Sequence, residues 1–273
     1  MCEANDILKK KINDSKDIIK KALEKFHIDD LAIAFTGGKD STLLLHLIDD
    51  VCQENDYEIP DCFCINEGDM FPEVKDFIEE VSEKYDIEVE YIHNDDVSQA
   101  AGYKIGASVK VVDLNQTNKK EIKRLGFEGK EFPFEPESFV GNHLMKTVPL
   151  NIYLKENKIK GFFEGIRWDE QEARADEEYF SKRESTEYSP EHIRICPILH
   201  FTEKDVWDAT FALDIPICSL YKKGYRSLGV KSTTDKAGDK PAWEQDLENT
   251  NERGGRRQDK EGVMKKLRDL GYM

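Results

Sequence analysis

The chain has 273 residues, with 56 Asp plus Glu against 40 Lys plus Arg and a formal net charge of −16. That length fits one large or two unequal domains around a sizeable core, and the acidic balance excludes a surface built to wrap nucleic acid while allowing a local basic patch. No apolar run approaches the ~20 residues of a membrane span, and residues 1–30 lack the apolar core of a signal peptide, so a cytoplasmic protein is expected.

Residues 6–26 space Leu8, Ile12, Ile19, Leu23 and Phe26 at a near-helical period with lysines between them, which predicts an amphipathic helix lying on the domain. LAIAF at 31–35 has the length and residue types of a buried strand, and TLLLHLIDDV at 42–51 reads as a helix. Between them stand Thr36, Gly37, Gly38, Lys39, Asp40 and Ser41, at a helix N-terminus. Adjacent glycines let the backbone turn tightly and bring N–H groups close to an anion. The first helical turn adds unpaired N–H groups and the positive end of the helix dipole. Lys39 and the Ser41 hydroxyl complete a phosphate cradle. The spacing is not that of a Walker A loop, because Ile33 stands where its first glycine belongs and Asp40 follows Lys39.

DCFCIN at 61–66 predicts a second buried strand. Pro72 suits a first helical position, with Val74, Phe77, Ile78 and Val81 as the inner face, and IEVEYI at 87–92 alternates as a strand. Strand–helix–strand–helix–strand implies right-handed parallel crossovers. The predicted fold class is therefore α/β, a doubly wound, mostly parallel sheet with helices on both faces. Ligands of such sheets bind beyond the carboxyl ends of the strands, where the glycine loop lies.

Val109–Leu114 reads as a strand inside a charged stretch, 95–138, taken as a surface excursion with a mobile cover as the alternative. Residues 139–156 read as helical and 160–165 as a strand. Gly165 followed by Arg167, Asp169, Glu170 and Arg174 places charged groups on the same sheet edge as the first loop, although a solvated helix start laced with ion pairs reads equally well. Thr202 is a helix N-cap with Asp205 three residues on, ahead of an inner face of Val206, Ala209 and Leu213; His200 reads as packing or a turn hydrogen bond. LYKKGYRSLG at 220–229 is a basic, aromatic loop able to cover an anion or a nucleotide base. NERGGRR at 251–257 is a basic island, suited to anion binding or to a solvated tail. Six cysteines without a CxxC pair read as small packing residues, with a metal or redox role as the alternative.

Several ordered segments resemble the 3′-phosphoadenosine 5′-phosphosulfate (PAPS) reductase-like superfamily of pyrophosphate-loop proteins, from about residue 28 onward. They are TGGKDS at 36–41, Gly68 with FPE at 71–73, MKT at 145–147, GIRWDEQEARA at 165–175, PICSLYKKGYRSLG at 216–229, ERGGR at 252–256 and the closing LRDLGYM. The resemblance implies an adenine nucleotide α-hydrolase-like fold that cleaves ATP between its α- and β-phosphates. It divides the chain into an N-terminal helix (1–27), a nucleotide-binding α/β domain (28–230) and a C-terminal anion-binding extension (231–273). Members include sulfonucleotide reductases, the small subunit of sulfate adenylyltransferase and eukaryotic-type FAD synthetases. The reductases attack with a cysteine in a C-terminal Glu-Cys-Gly-Leu motif, and many bind an iron–sulfur cluster. Here no cysteine follows Cys218, and Gly141–Asn142, Val230 and Ser232 stand where the ligands would be, so reductase chemistry is not expected. GIRWDEQEARA and the ERGGR…LGYM ending look most like the sulfate adenylyltransferase subunit. That subunit, however, carries an insertion where Leu220–Tyr221 here runs almost directly into Lys223–Gly224–Tyr225, a compactness closer to FAD synthetases and reductases.

The expected function is thus ATP-dependent adenylyl transfer to an oxyanion, sulfate first, releasing pyrophosphate. The alternatives are an FAD synthetase-like reaction on FMN or a sulfur-transfer ATP pyrophosphatase. A non-catalytic nucleotide-binding subunit is the rival from another class. The resemblance implies ATP and Mg²⁺ as ligands, with Asp40 orienting the Mg²⁺. It implies catalytic roles for Lys39, Asp40, Ser41 and Arg167, and ATP or pyrophosphate binding by Thr36, Gly37, Gly38 and Gly165. Arg174, Lys223, Arg226, Arg253 and Arg256 would bind the anionic substrate. The expected partners are a small-molecule anion and either a GTPase large subunit or further copies of the chain, with no nucleic acid and no membrane.

Overall fold

The computed structural model describes residues 2–171, 174–186 and 189–255. In chain order these form α1 (Cys2–Lys25), β1 (Leu31–Ala34), α2 (Lys39–Asn55), β2 (Asp61–Ile65), α3 (Pro72–Tyr85), β3 (Val89–Ile92) and α4 (Asp95–Ala100). There follow β4 (Ser108–Lys110), α5 (Gln116–Arg124), β5 (Glu131–Pro133), α6 (Phe139–Asn142) and α7 (Val148–Glu156), with a wider turn, His143–Thr147, between α6 and α7. The last group is β6 (Gly161–Glu164), β7 (Phe180–Arg183), β8 (His192–Ile195), α8 (Glu203–Ala212) and α9 (Ser219–Lys222).

Six strands make one sheet in the order β3-β2-β1-β6-β8-β7. Every neighbouring pair is parallel except β7 with β8. The predicted class, a mostly parallel doubly wound sheet, is what the chain forms. β1 is central and covered on both faces. Leu31 and Ile33 pack with Leu44, Ile48 and Val81 on one face, and Ala32 packs with Phe63, Tyr153 and Phe162 on the other. Alternation of side chains along the strand is what divides them. Burying each large side chain contributes about 1.5–3 kcal/mol. Among the described residues no helix is long and apolar enough to cross a membrane.

Local signals explain the element starts. Pro72 is the first residue of α3, where its missing N–H costs nothing. Thr202 and Asp205 form a reciprocal capping box on α8. Lys39 opens α2 with Gly38 as its N-cap, three residues before the predicted helix start.

The stretch 95–138 differs from its reading as a surface excursion. It is a folded insertion with a second core of Val97, Val109, Ile122, Phe132, Phe134 and Leu144. The predicted strand at 109–114 is shorter and shifted, forming β4, which pairs antiparallel with β5. Asn94 fastens the insertion: its amide exchanges hydrogen bonds with Asn118 at 2.9 and 3.1 Å and donates to the Leu144 carbonyl at 2.8 Å. Residues 231–255 include three short 3₁₀ turns, and they are not peripheral. Ala242 is fully buried, and Trp243 packs edge-on against Trp207 with ring centroids 5.4 Å apart.

Candidate functional site

β1 leads to β2 on one side of the sheet and β6 lies on the other, so the loops leaving β1 and β6 diverge at the point where the strand order reverses. A crevice between such loops is the usual ligand site of an open parallel sheet. Here the two loops touch. A Cβ built on Gly165 would lie 2.9 Å from the backbone carbon and oxygen of Asp40 and from the Ser41 nitrogen, so only glycine allows this approach. Gly37 has φ +69°, a left-handed conformation suited to glycine, with the side chains of Val74 and Ile78 directly beside it.

The contact brings Lys39 and Arg167 into one buried cluster. Arg167 is fully buried and donates to three carboxylates: Nη1 to Asp40, Nη2 to Glu252, and Nε to Asp169 at 2.9 Å. Lys39 Nζ donates to Glu252 Oε1 at 2.5 Å and to Asp40 Oδ2 at 3.1 Å. Asp169 uses its second oxygen to accept the Glu203 N–H at 2.8 Å, at the first turn of α8. Burial alone would lower the Lys39 pKa, but Asp40 and Glu252 outweigh it and raise it, so the ammonium stays charged. Burial would raise the Glu252 pKa, yet Lys39 and Arg167 overrule it and hold it down at about 2.

The loop itself is tied inward. The Ser41 hydroxyl donates to the Gly38 carbonyl at 3.0 Å, lies 3.1 Å from the Thr36 hydroxyl, and accepts the Thr36 N–H at 3.3 Å. The Lys39 N–H, expected to face an anion, donates instead to the Tyr221 hydroxyl at 2.8 Å. Both Asp40 oxygens are already opposed by Arg167 and Lys39. Among the described residues no group of three or more His, Cys, Asp or Glu is arranged to hold a metal ion. This donor set does not fit a Mg²⁺ ion resident on Asp40.

The remaining expected anion-binding residues are differently engaged. Arg174 and Arg253 converge on Glu170, the latter at 3.0 Å, on the loop that carries Arg167. Arg226 is 2% exposed and pairs with Glu203 at 2.7 Å. Lys223 pairs with Glu73 at 2.9 Å and stays half-exposed, outside the cluster. Arg256 and the closing LRDLGYM lie outside the described residues. Sequence reasoning did not single out Glu252, which hides as one acidic residue in a basic island, nor Tyr221, whose hydroxyl faces the loop across 182 positions. Cys52, Cys62, Cys64 and Cys196 are buried, and burial pushes each thiol up to about 12, away from the thiolate.

A doubly wound sheet with a glycine loop and two buried cations at its switch point defines an α/β protein with its polar cluster where open parallel sheets usually bind ligands. The chain belongs to the phosphoadenosine phosphosulfate reductase domain family, whose pattern matches residues 30–236. It is 28% identical over 228 residues to a Caenorhabditis elegans protein named "Probable FAD synthase", a match covering 83% of this chain and 34% of that one. The chain thus spans about a third of the length of that relative. An adenosine 5′-phosphosulfate reductase from Geobacillus kaustophilus is 26% identical over 211 residues, 77% of this chain and 75% of its own. The likeness to sulfate adenylyltransferase subunit 2, 33% for the Brucella anthropi protein, is confined to 115 residues and 35% of this chain. That corrects the expectation that this subunit is the best overall match. Among solved structures, Candida glabrata FMN adenylyltransferase superposes with a TM-score of 0.64 at 18% identity, covering 92% of this chain and 88% of that one.

Proposed function

We propose that this chain transfers AMP from ATP to the phosphate of FMN, forming FAD and releasing pyrophosphate. In that reaction an FMN phosphate oxygen attacks the α-phosphorus, the bond between the α-phosphorus and the α,β-bridging oxygen breaks, and the diphosphate leaves. The observation that carries the reading is the meeting of Lys39 and Arg167 at the switch point, two buried cations beside the first turn of α2. Such a site acts by positioning and by stabilising charge that grows on the departing diphosphate, with no covalent nucleophile. The acceptor is supported by the relative named as an FAD synthase, whose match covers most of this chain, and by the shared fold with an FMN adenylyltransferase. Any Mg²⁺ would travel on the phosphate oxygens as part of the substrate.

Sulfate as acceptor is the second reading, favoured by the higher identity to sulfate adenylyltransferase subunit 2 over its shorter span. The test is purified protein with ATP and Mg²⁺, supplied with either FMN or sulfate and followed by pyrophosphate release. Release that depends on FMN supports the proposal. Release that depends on sulfate alone overturns it in favour of the second reading. Saturable ATP binding with neither acceptor consumed points to a nucleotide-binding subunit instead.

A further inference from the structure

Glu252 holds both cations that the proposed reaction assigns to phosphate. Its two oxygens bridge Lys39 Nζ and Arg167 Nη2, the two buried cations of the site, so both already share an anion. Counted together, Lys39 and Arg167 face three carboxylates, Asp40, Asp169 and Glu252. A diphosphate brought to that cluster as it stands would meet excess negative charge in a poorly solvated place, where like-charge repulsion is strong. One carboxylate has to leave. Asp40 is built into the first turn of α2, and Asp169 is tied to the Glu203 backbone N–H. Asp169 and Glu252 both sit on short 3₁₀ turns, but the Glu252–Gly255 turn comes after the last elements of the sheet.

The segment before that turn is anchored separately. Arg226 donates to the Asp246 carbonyl at 3.3 Å, to the Leu247 carbonyl at 3.1 Å and to the Thr250 hydroxyl at 2.5 Å. Residues 246–250 are therefore clamped to the body by a buried arginine, and Asn251 is the joint beyond the clamp. On the far side the turn is held by the Arg253–Glu170 pair and by the Asp235 N–H donating to the Gly255 carbonyl at 2.8 Å. Neither contact involves a strand of the sheet.

We infer that the Glu252 carboxylate is a built-in occupant of the diphosphate position, exchanged for phosphate oxygens when nucleotide binds, with Glu252–Gly255 as the strap that moves. The inference rests on the proposed anion site of the pyrophosphate loop. A polyphosphate carries more charge and more acceptor oxygens than one carboxylate, so it gains more from Lys39 and Arg167 than Glu252 does. The resting chain then keeps its two buried cations neutralised without a ligand, and the affinity for nucleotide is reduced by the fraction of sites that Glu252 fills.

The test is calorimetric titration of wild type, Glu252→Gln and Lys39→Met with inorganic pyrophosphate. With no competing anion, Glu252→Gln should bind about tenfold more tightly or better than wild type, and Lys39→Met should lose binding. Glu252→Asp, which keeps the charge but reaches less far, serves if the glutamine variant fails to fold and should bind more tightly than wild type. Equal or weaker binding by both Glu252 variants would make Glu252 a fixed positioning group and overturn the inference. Pyrophosphate that binds none of the proteins would overturn the anion site together with it. Tighter binding by Glu252→Gln, with no FAD formed by wild type, would leave the inference standing and remove only the acceptor reading.

Discussion

Replacing Gly165 with alanine tests the close approach on which the site depends. The added Cβ would lie 2.9 Å from the backbone carbon and oxygen of Asp40 and 2.9 Å from the Ser41 nitrogen. Real Cβ atoms do not approach that closely, and the opposing atoms are backbone in the first turn of α2, so no side chain can swing away. The loop after β6 must move by several tenths of an ångström, and Arg167, two residues on, moves with it. Overpacking of this kind costs about 1–3 kcal/mol, which lowers Tm by roughly 2–12 °C for a domain of this size. A positional error approaching 1 Å at a site that acts by alignment costs on the order of 100-fold in rate. Gly238→Ala is the matched control, since its Cβ would meet only the Gln245 side chain, at an ordinary 3.7 Å. The assay is thermal unfolding together with FMN-dependent pyrophosphate release for both variants. A Gly165→Ala protein that melts and turns over like Gly238→Ala would refute the claim that this contact fixes the geometry.

Other outcomes follow from the same cluster and its surroundings. Lys39→Ala should cut pyrophosphate release by on the order of 100-fold or more, the scale of losing one donor to a developing oxyanion; release at the wild-type rate would contradict the role of this lysine. Glu252 has a folded pKa held at about 2 against an ordinary 4.5, so its contribution to stability is complete above about pH 4.5 and is lost as pH falls toward 2. Urea titrations across that window should show a steeper acid loss for wild type than for Glu252→Gln, and parallel curves would count against the pairing. Thr202→Ala removes the side-chain acceptor of the Asp205 N–H and should cost about 1 kcal/mol in the same urea assay. Lys223→Met breaks only an exposed pair with Glu73 and should change stability by less than about 1 kcal/mol. It should also leave pyrophosphate affinity unchanged; weaker binding would place Lys223 at the anion site.

The central strand, the glycine loop and the helix after it were legible because their determinants are local. An apolar run of LAIAF, two adjacent glycines and a proline at a helix start each act within a few residues. The insertion was not legible, because Val97, Val109, Ile122 and Phe132 sit singly on short elements and cohere only through tertiary packing and the Asn94–Asn118 amide pair. β7 and β8 escaped notice for a related reason. In His192–Ile195 a half-buried Arg194 interrupts the apolar alternation, and it is satisfied by Glu164 on β6, 30 residues earlier. Site residues divide along the same line. Lys39 and Arg167 stand out from local motifs, but Glu252, which joins them, lies 213 and 85 positions away. Nothing local announces that Arg226 pairs with Glu203, or that Glu252 reaches Lys39 and Arg167.

The central claim is that AMP passes from ATP to FMN at the junction of the β1 and β6 loops. Its most direct measurement is to incubate the purified chain with FMN, Mg²⁺ and ATP labelled at either the α- or the γ-phosphate. The account predicts that α-label appears in FAD, that γ-label appears in pyrophosphate, and that Arg167→Met abolishes both. FAD free of α-label, or label passing to sulfate while FMN is untouched, would contradict it.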